Sequence, residues 1–171
     1  MIESISSSIE ISVAVLCTNW TESLPAVDDL CRYVVLTAVL TNTDLLPKEF
    51  LDKIEISLVL TDDSMIQCLN HKYLGQNKPT NVLSFLYFDR CDNLPINSPL
   101  LLGDIILSFE TTAREAEIEN KSFLDHMSHL LVHGVLHLLG YDHSINSEAE
   151  KMENFERIIL DDLGIDDPYI M

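Results

Sequence analysis

Three histidines in HGVLHLLGYDH, namely His133, His137 and His143, stand four and then six residues apart around a glycine. Imidazole nitrogen is a zinc ligand, and such ligands must converge on one point at about 2.1 Å. His133 and His137 are one helical turn apart, so both rings reach the same point. His143 lies too far along for a continuing helix to bring it there. Gly140 resolves this, because glycine takes the left-handed backbone that ends a helix and reverses the chain. The spacing HxxxHxxGxxH therefore predicts a three-nitrogen face with one position left for water. Three protein ligands and a water characterise catalytic zinc, which lowers the pKa of that water to about 7. One Zn2+ per chain is the expected cofactor, although nickel or copper also suits three imidazoles.

A helix must carry the first two ligands. At about 100° per residue, His126, His129, His133 and His137 fall within a sector of roughly 80°. Phe123, Met127, Leu130, Leu131, Val132, Val135, Leu136, Leu138 and Leu139 fill most of the rest. A helix apolar on nearly all sides is buried on nearly all sides, so the histidine stripe faces a cleft or buried partners. His126 and His129 are read as cleft-lining or hydrogen-bonding residues rather than ligands. His71, in another segment, is read as a surface residue.

The remaining pattern describes an α+β chain, a single domain over residues 1–171 with about four strands and about five helices. Strands are predicted at Ile9–Leu16, Ile54–Leu60, Asn81–Phe88 and Gly103–Phe109, from alternating or β-branched and aromatic runs. Helices are predicted at Ala26–Leu40, with Pro25 in the first turn, and at Asp63–Asn70, Thr111–Glu119 and Phe123–Leu139. A last helix is predicted with Ser147 and Glu150 as a capping box, Ala149, Met152, Phe155 and Ile159 on one face, and Gly164 as its stop. Asp89–Ser98 reads as a surface loop.

Composition narrows the function. The chain has 171 residues and a formal charge of −18. Such acidity counts against a simple phosphate-binding module, which would be basic. It leaves room for a site where a metal and a few cations act locally. No apolar run reaches the ~20 residues of a membrane span, and the first apolar run lacks the basic flank of a secretion signal. A cytoplasmic protein with neither membrane nor DNA as partner is expected. Cys17, Cys31, Cys68 and Cys91 form no CxxC pair, so reduced thiols are the default. The eight acids from Ser144 onward read as a solvated face.

The same histidine spacing occurs in peptidases with the pattern HExxHxxGxxH, where the glutamate is the general base. Here that position is Gly134, which demotes proteolysis.

HGVLHLLGYDH resembles the signature of the YbeY family, bacterial metal-dependent endoribonucleases of ribosomal RNA maturation. LNHKYLGQNKPTNVLSF, LLGDIIL and the ending DDPYI resemble further motifs of that family in the same order. The resemblance runs from about Leu69 to the end of the chain. It implies a zincin-like fold, zinc held by His133, His137 and His143, and ribosomal RNA as substrate, especially the 3′ end of the small-subunit RNA. It also implies the small ribosomal subunit as partner, and a part in ribosome quality control. One departure is specific. The family carries an arginine where this chain has Leu74, and leucine pairs with no phosphate. Lys72, Lys78 and Arg114 are the candidate RNA-binding cations. Leu86 replaces the usual proline after Ser-Phe, which is expected to change packing alone. Asn77 to Asn81 are expected to form a turn that also lines the cleft. Asp104 and Asp142 are candidates for orienting a ligand histidine from behind. The alternatives are another zinc hydrolase, including a peptidase with a base drawn from elsewhere, and a ribosome-assembly binding protein whose zinc is structural.

Overall fold

The structure is a computed structural model that describes residues 9–43, 46, 53–87, 99–141 and 146–170, with side chains of the last segment from residue 148 onward. Four strands form one mixed sheet in the order β1-β2-β4-β3. They are β1 (Ile9–Val15), β2 (Ile54–Thr61), β3 (Val82–Leu86) and β4 (Leu100–Ser108). β1, β2 and β4 run parallel, and β3 closes one edge antiparallel to β4. Each predicted strand is present, and β4 begins earlier than expected, at Leu100. The predicted loop from Asp89 to Ser98 lies outside the described residues.

Six helices occur among the described residues, one more than expected: α1 (Asn19–Ser23), α2 (Val27–Thr41), α3 (Asp63–Leu74), α4 (Phe109–Ile118), α5 (Phe123–Leu138) and α6 (Asn146–Asp162). α1 was unforeseen because five residues carry too little periodicity to read. Tertiary contacts hold it instead. Trp20 is fully buried between Phe109 and Phe123, and its indole N–H donates to the Thr61 carbonyl at 2.9 Å. Pro25 precedes the first turn of α2 rather than lying in it. α3 runs on to Leu74, past the expected end at Asn70, and Asp62 caps its start by accepting from the Met65 N–H at 2.8 Å.

α2 and α5 pack on one face of the sheet, against Ile54, Ile56, Leu58, Leu60, Leu102, Ile105 and Leu107. On β2 these residues recur at every second position, as a strand that buries one face requires, and on β4 the longer step from Leu102 to Ile105 coincides with the register shift beside Ile56. The other face carries a smaller cluster, where Ile66 and Leu69 of α3 meet Val59, Leu83, Phe85 and Ile106. Burying the larger side places α5 against β3 and β4, which fixes the direction in which its histidines point.

Two glycines permit that placement. Gly134 faces the sheet: a Cβ there would come 2.9 Å from Cγ2 of Ile105 and 3.2 Å from Oγ of Ser84. Gly134→Ala gains about 1 kcal/mol of helix propensity but forces an overpacked contact costing about 1–3 kcal/mol. A net loss of about 1 kcal/mol, or about 3 °C in thermal midpoint, is expected by calorimetry. A higher midpoint would mean that the helix has slack against β4. Gly140 has φ +90°, and the N–H groups of Gly140 and Tyr141 donate to the carbonyls of His137 and Leu136, both at 3.0 Å. This is the Schellman ending the sequence called for. Gly164, at φ +73°, ends α6 as expected. Ser147 of the predicted capping box has no described side chain.

Candidate active site on the histidine helix

α5 starts with Ser122 as N-cap, whose hydroxyl accepts from the Asp125 N–H at 3.0 Å. From Leu130 to its end the helix is apolar except for His133 and His137, which continue the stripe begun by His126 and His129. His133 and His137 turn their rings to one another, with Nε2 atoms 3.0 Å apart. The opposite nitrogens are tied down. Nδ1 of His137 lies 3.0 Å from the carbonyl oxygen of Tyr141, in the turn that Gly140 makes. Nδ1 of His133 lies 2.7 Å from Oε1 of Glu156. A carbonyl and a carboxylate only accept, so both Nδ1 atoms donate and each ring turns an Nε2 lone pair inward. Two such lone pairs in neutral rings repel at that separation, and either a shared proton or a metal cation between them removes the repulsion. Two nitrogens bonded tetrahedrally to zinc stand about 3.4 Å apart, so the rings need part by only a few tenths of an ångström to admit the ion. The donor set thus fits a divalent metal. Among the described residues, no group of three or more His, Cys, Asp or Glu is placed to hold one. His143 and Asp142 lie outside the described residues.

Glu156 is the residue that sequence reading missed, and it corrects the view of the acidic tail as a solvated face. It is 1% exposed. Besides His133 it accepts from Nε2 of His129 at 3.4 Å and from the Tyr169 hydroxyl. Burial pushes its pKa up, but hydrogen bonds from His129, His133 and Tyr169 and the nearby His129 charge outweigh that and bring it to about 2. The carboxylate is therefore ionised and orients His133 from behind, as outer partners of ligand histidines do. A signal existed: Glu156 follows Met152 by four residues and precedes Ile159 by three, on the buried face of α6.

The other two histidines hydrogen-bond as expected. Nε2 of the buried His126 lies 3.0 Å from Oε2 of Glu115, which also accepts from the Asn81 amide at 2.9 Å. His126, His129 and His133 line a cavity of about 280 Å³ with Asn81, Glu115 and Tyr169. Asn81 thus plays both roles foreseen for it, since its Oδ1 also accepts from the Val82 N–H at 2.7 Å. His71 is exposed, as expected.

Other candidates lie elsewhere. Asp104 does not stand behind a histidine. Ile105 faces Gly134 on α5, so Asp104 points through the opposite face, where it accepts from the Tyr87 hydroxyl at 2.5 Å beside Glu10 and Glu55. Arg114 is engaged with Asp63, at 3.7 Å, and with the Thr111 hydroxyl, at 2.8 Å. Lys72 stands over the Tyr73 ring at 4.9 Å, and Lys78 is exposed in the segment leading to Asn81. None of these three cations lines the histidine cavity. Leu74 ends α3 and is 58% exposed.

The family described as Endoribonuclease YbeY matches residues 30–164. The chain belongs to the YbeY family. An Endoribonuclease YbeY of Paramagnetospirillum magneticum is 48% identical over 164 residues, covering 95% of this chain and 96% of its own. One from Rhodopseudomonas palustris is 42% identical over 157 residues, covering 92% and 90%. A solution structure of a Thermotoga maritima protein overlaps 95% of this chain and 99% of its own, at a TM-score of 0.48 and 20% identity. The YbeY match takes in the whole histidine helix, Gly134 and Glu156. Gly134 also speaks to the peptidase alternative: the position of that base faces Ile105 and Ser84 with no room for a side chain. No helix among the described residues is long and apolar enough to cross a membrane.

Proposed function

We propose that this chain is a metal-dependent endoribonuclease that cuts single-stranded RNA in ribosomal RNA 3′-end maturation and quality control, in the cytoplasm and with the small ribosomal subunit as partner. Membership of the YbeY family supports the activity. The observation that carries the site is the pair of Nε2 atoms 3.0 Å apart, each ring anchored at Nδ1 by an acceptor oxygen. His133 and His137 would hold the ion with His143 as third ligand, a set that suits zinc and also nickel or copper. Once bound, the ion would supply an acidified water and a positive charge against the scissile phosphate.

The chain's own residues do the rest. Glu156 and the Tyr141 carbonyl orient the two rings through their Nδ1 atoms. The cavity beside them would receive part of the unpaired strand, with Asn81 and the carboxylate of Glu115 among its polar lining. Lys78, exposed three residues before Asn81, is the cation we assign to the RNA backbone, whereas Lys72 stands on α3, whose apolar side packs on the other face of the sheet, and Arg114 is paired with Asp63.

The test is cleavage of a ribosomal RNA fragment by the purified chain, with and without a chelator. Cuts that stop on chelation and return with zinc are expected, and cuts indifferent to chelator would sink the reading. Leu74→Arg restores the family's cation on an exposed helix end, so stability should change by less than about 0.5 kcal/mol. Cleavage should rise about three- to tenfold at low salt, and the gain should shrink as salt screens it. A rate equal to the parent's would show that this position does not meet RNA here.

A further inference from the structure

Asp167 to Tyr169 supply no metal ligand, yet they are fastened at several points. Asp167 accepts from Nε of Arg157 at 3.1 Å and from the Tyr169 N–H at 2.9 Å. The Pro168 carbonyl accepts from Nζ of Lys121 at 3.1 Å, and Lys121 also pairs with Glu119 at 2.6 Å. Arg157 lies 4.8 Å from the centre of the Tyr169 ring, and that ring meets His129 edge-on at 5.8 Å. The outcome of all these contacts is a single placement: the Tyr169 hydroxyl donates to Oε2 of the buried Glu156, whose Oε1 holds His133.

We propose that this C-terminal segment is a latch and that Tyr169 is a positioning residue for the histidine pair. A carboxylate rotates about its last bond unless both oxygens are held. His129 holds Oε2 only loosely, at 3.4 Å. The phenol supplies the close second contact, so Oε1 stays on Nδ1 of His133 and Nε2 of His133 stays turned to His137. The Tyr169 hydroxyl remains a donor at neutral pH, because burial and its bond to Glu156 push its pKa up. The inference rests on the metal-holding role of His133 only for one of its two measurements.

Tyr169→Phe keeps the ring against His129 and Arg157 and removes the hydroxyl, which separates positioning from packing. The first measurement uses the metal-free chain: exchange of the Nδ1 proton of His133 by NMR, well below the unfolding midpoint. The second is the affinity for Co2+, read from its d–d absorption. In the phenylalanine variant the proton should exchange about fivefold faster or more, and the Co2+ dissociation constant should rise about tenfold, at the low end for an outer partner of a metal ligand. Asp167→Asn, which loosens the latch and leaves the hydroxyl, should move both readouts in the same direction. Wild-type exchange and wild-type Co2+ affinity in both variants would overturn the proposal. A parent chain that takes up no Co2+ would sink the metal reading instead, and the ring proton alone would then decide the role of the latch.

Discussion

Replacing His133 with alanine should reduce chelator-sensitive RNA cleavage by about 10³-fold or more while leaving the chain folded. The substitution removes one of the two facing Nε2 atoms, which on the proposed reading strips one of the ion's three ligands. It also removes one donor to Glu156. The side chain is 27% exposed, so its loss opens the site to water rather than leaving a sealed void. The structural cost is then that of one hydrogen bond to a charged group, about 1.5–3 kcal/mol. Cleavage of the same RNA fragment, metal content and thermal unfolding measured on one preparation separate the two effects. His137→Ala should match it, and the double variant should lose little more, because residues that hold one ion act as a unit. A His133→Ala chain that cuts at the parent rate would place the activity elsewhere, or in a contaminant.

Glu156→Gln is expected to have the largest effect outside the ligands. Glutamine keeps the shape but removes the charge, and its amide nitrogen cannot accept a hydrogen bond. Either His133, or His129 and Tyr169 together, therefore loses its acceptor. Metal affinity should fall about 10- to 100-fold. Acid unfolding gives an independent check. The folded-state pKa of about 2 lies below the ordinary value of 4.5. The stability that Glu156 contributes is thus complete above about pH 4.5 and is lost as pH falls from there towards 2. The amount is on the order of 3 kcal/mol. The glutamine variant should be less stable at neutral pH and should show a shallower acid limb in urea unfolding between pH 6 and 2. An acid limb as steep as the parent's would mean that Glu156 is not held as an anion.

The contrast between Glu156 and the histidines explains what was legible in the chain. The histidine stripe repeats at helical spacing and sits between a serine cap and a glycine stop, all within one continuous segment. Local rules therefore sufficed for α5, for its ending at Gly140 and for the pairing of His133 with His137. Asp104 shows where such rules fail. It was a fair candidate by type, but a strand sends neighbouring side chains to opposite faces. Only the packing of Ile105 against Gly134 told which face belonged to the histidines.

By itself the sequence determined the α+β class, the strands, the buried helix and the two rings that meet one turn apart. Each of these depends on residues close together in the chain, where helix and strand periods are set by backbone geometry. The tertiary structure alone decided that Glu156, on a different helix, stands behind His133, that Asn81 and His126 share one oxygen of Glu115, and that Tyr169 reaches back to Glu156. Those contacts join residues 11 to 34 positions apart. Their partners are chosen by how α4, α5 and α6 pack against one another, and no local period encodes that packing.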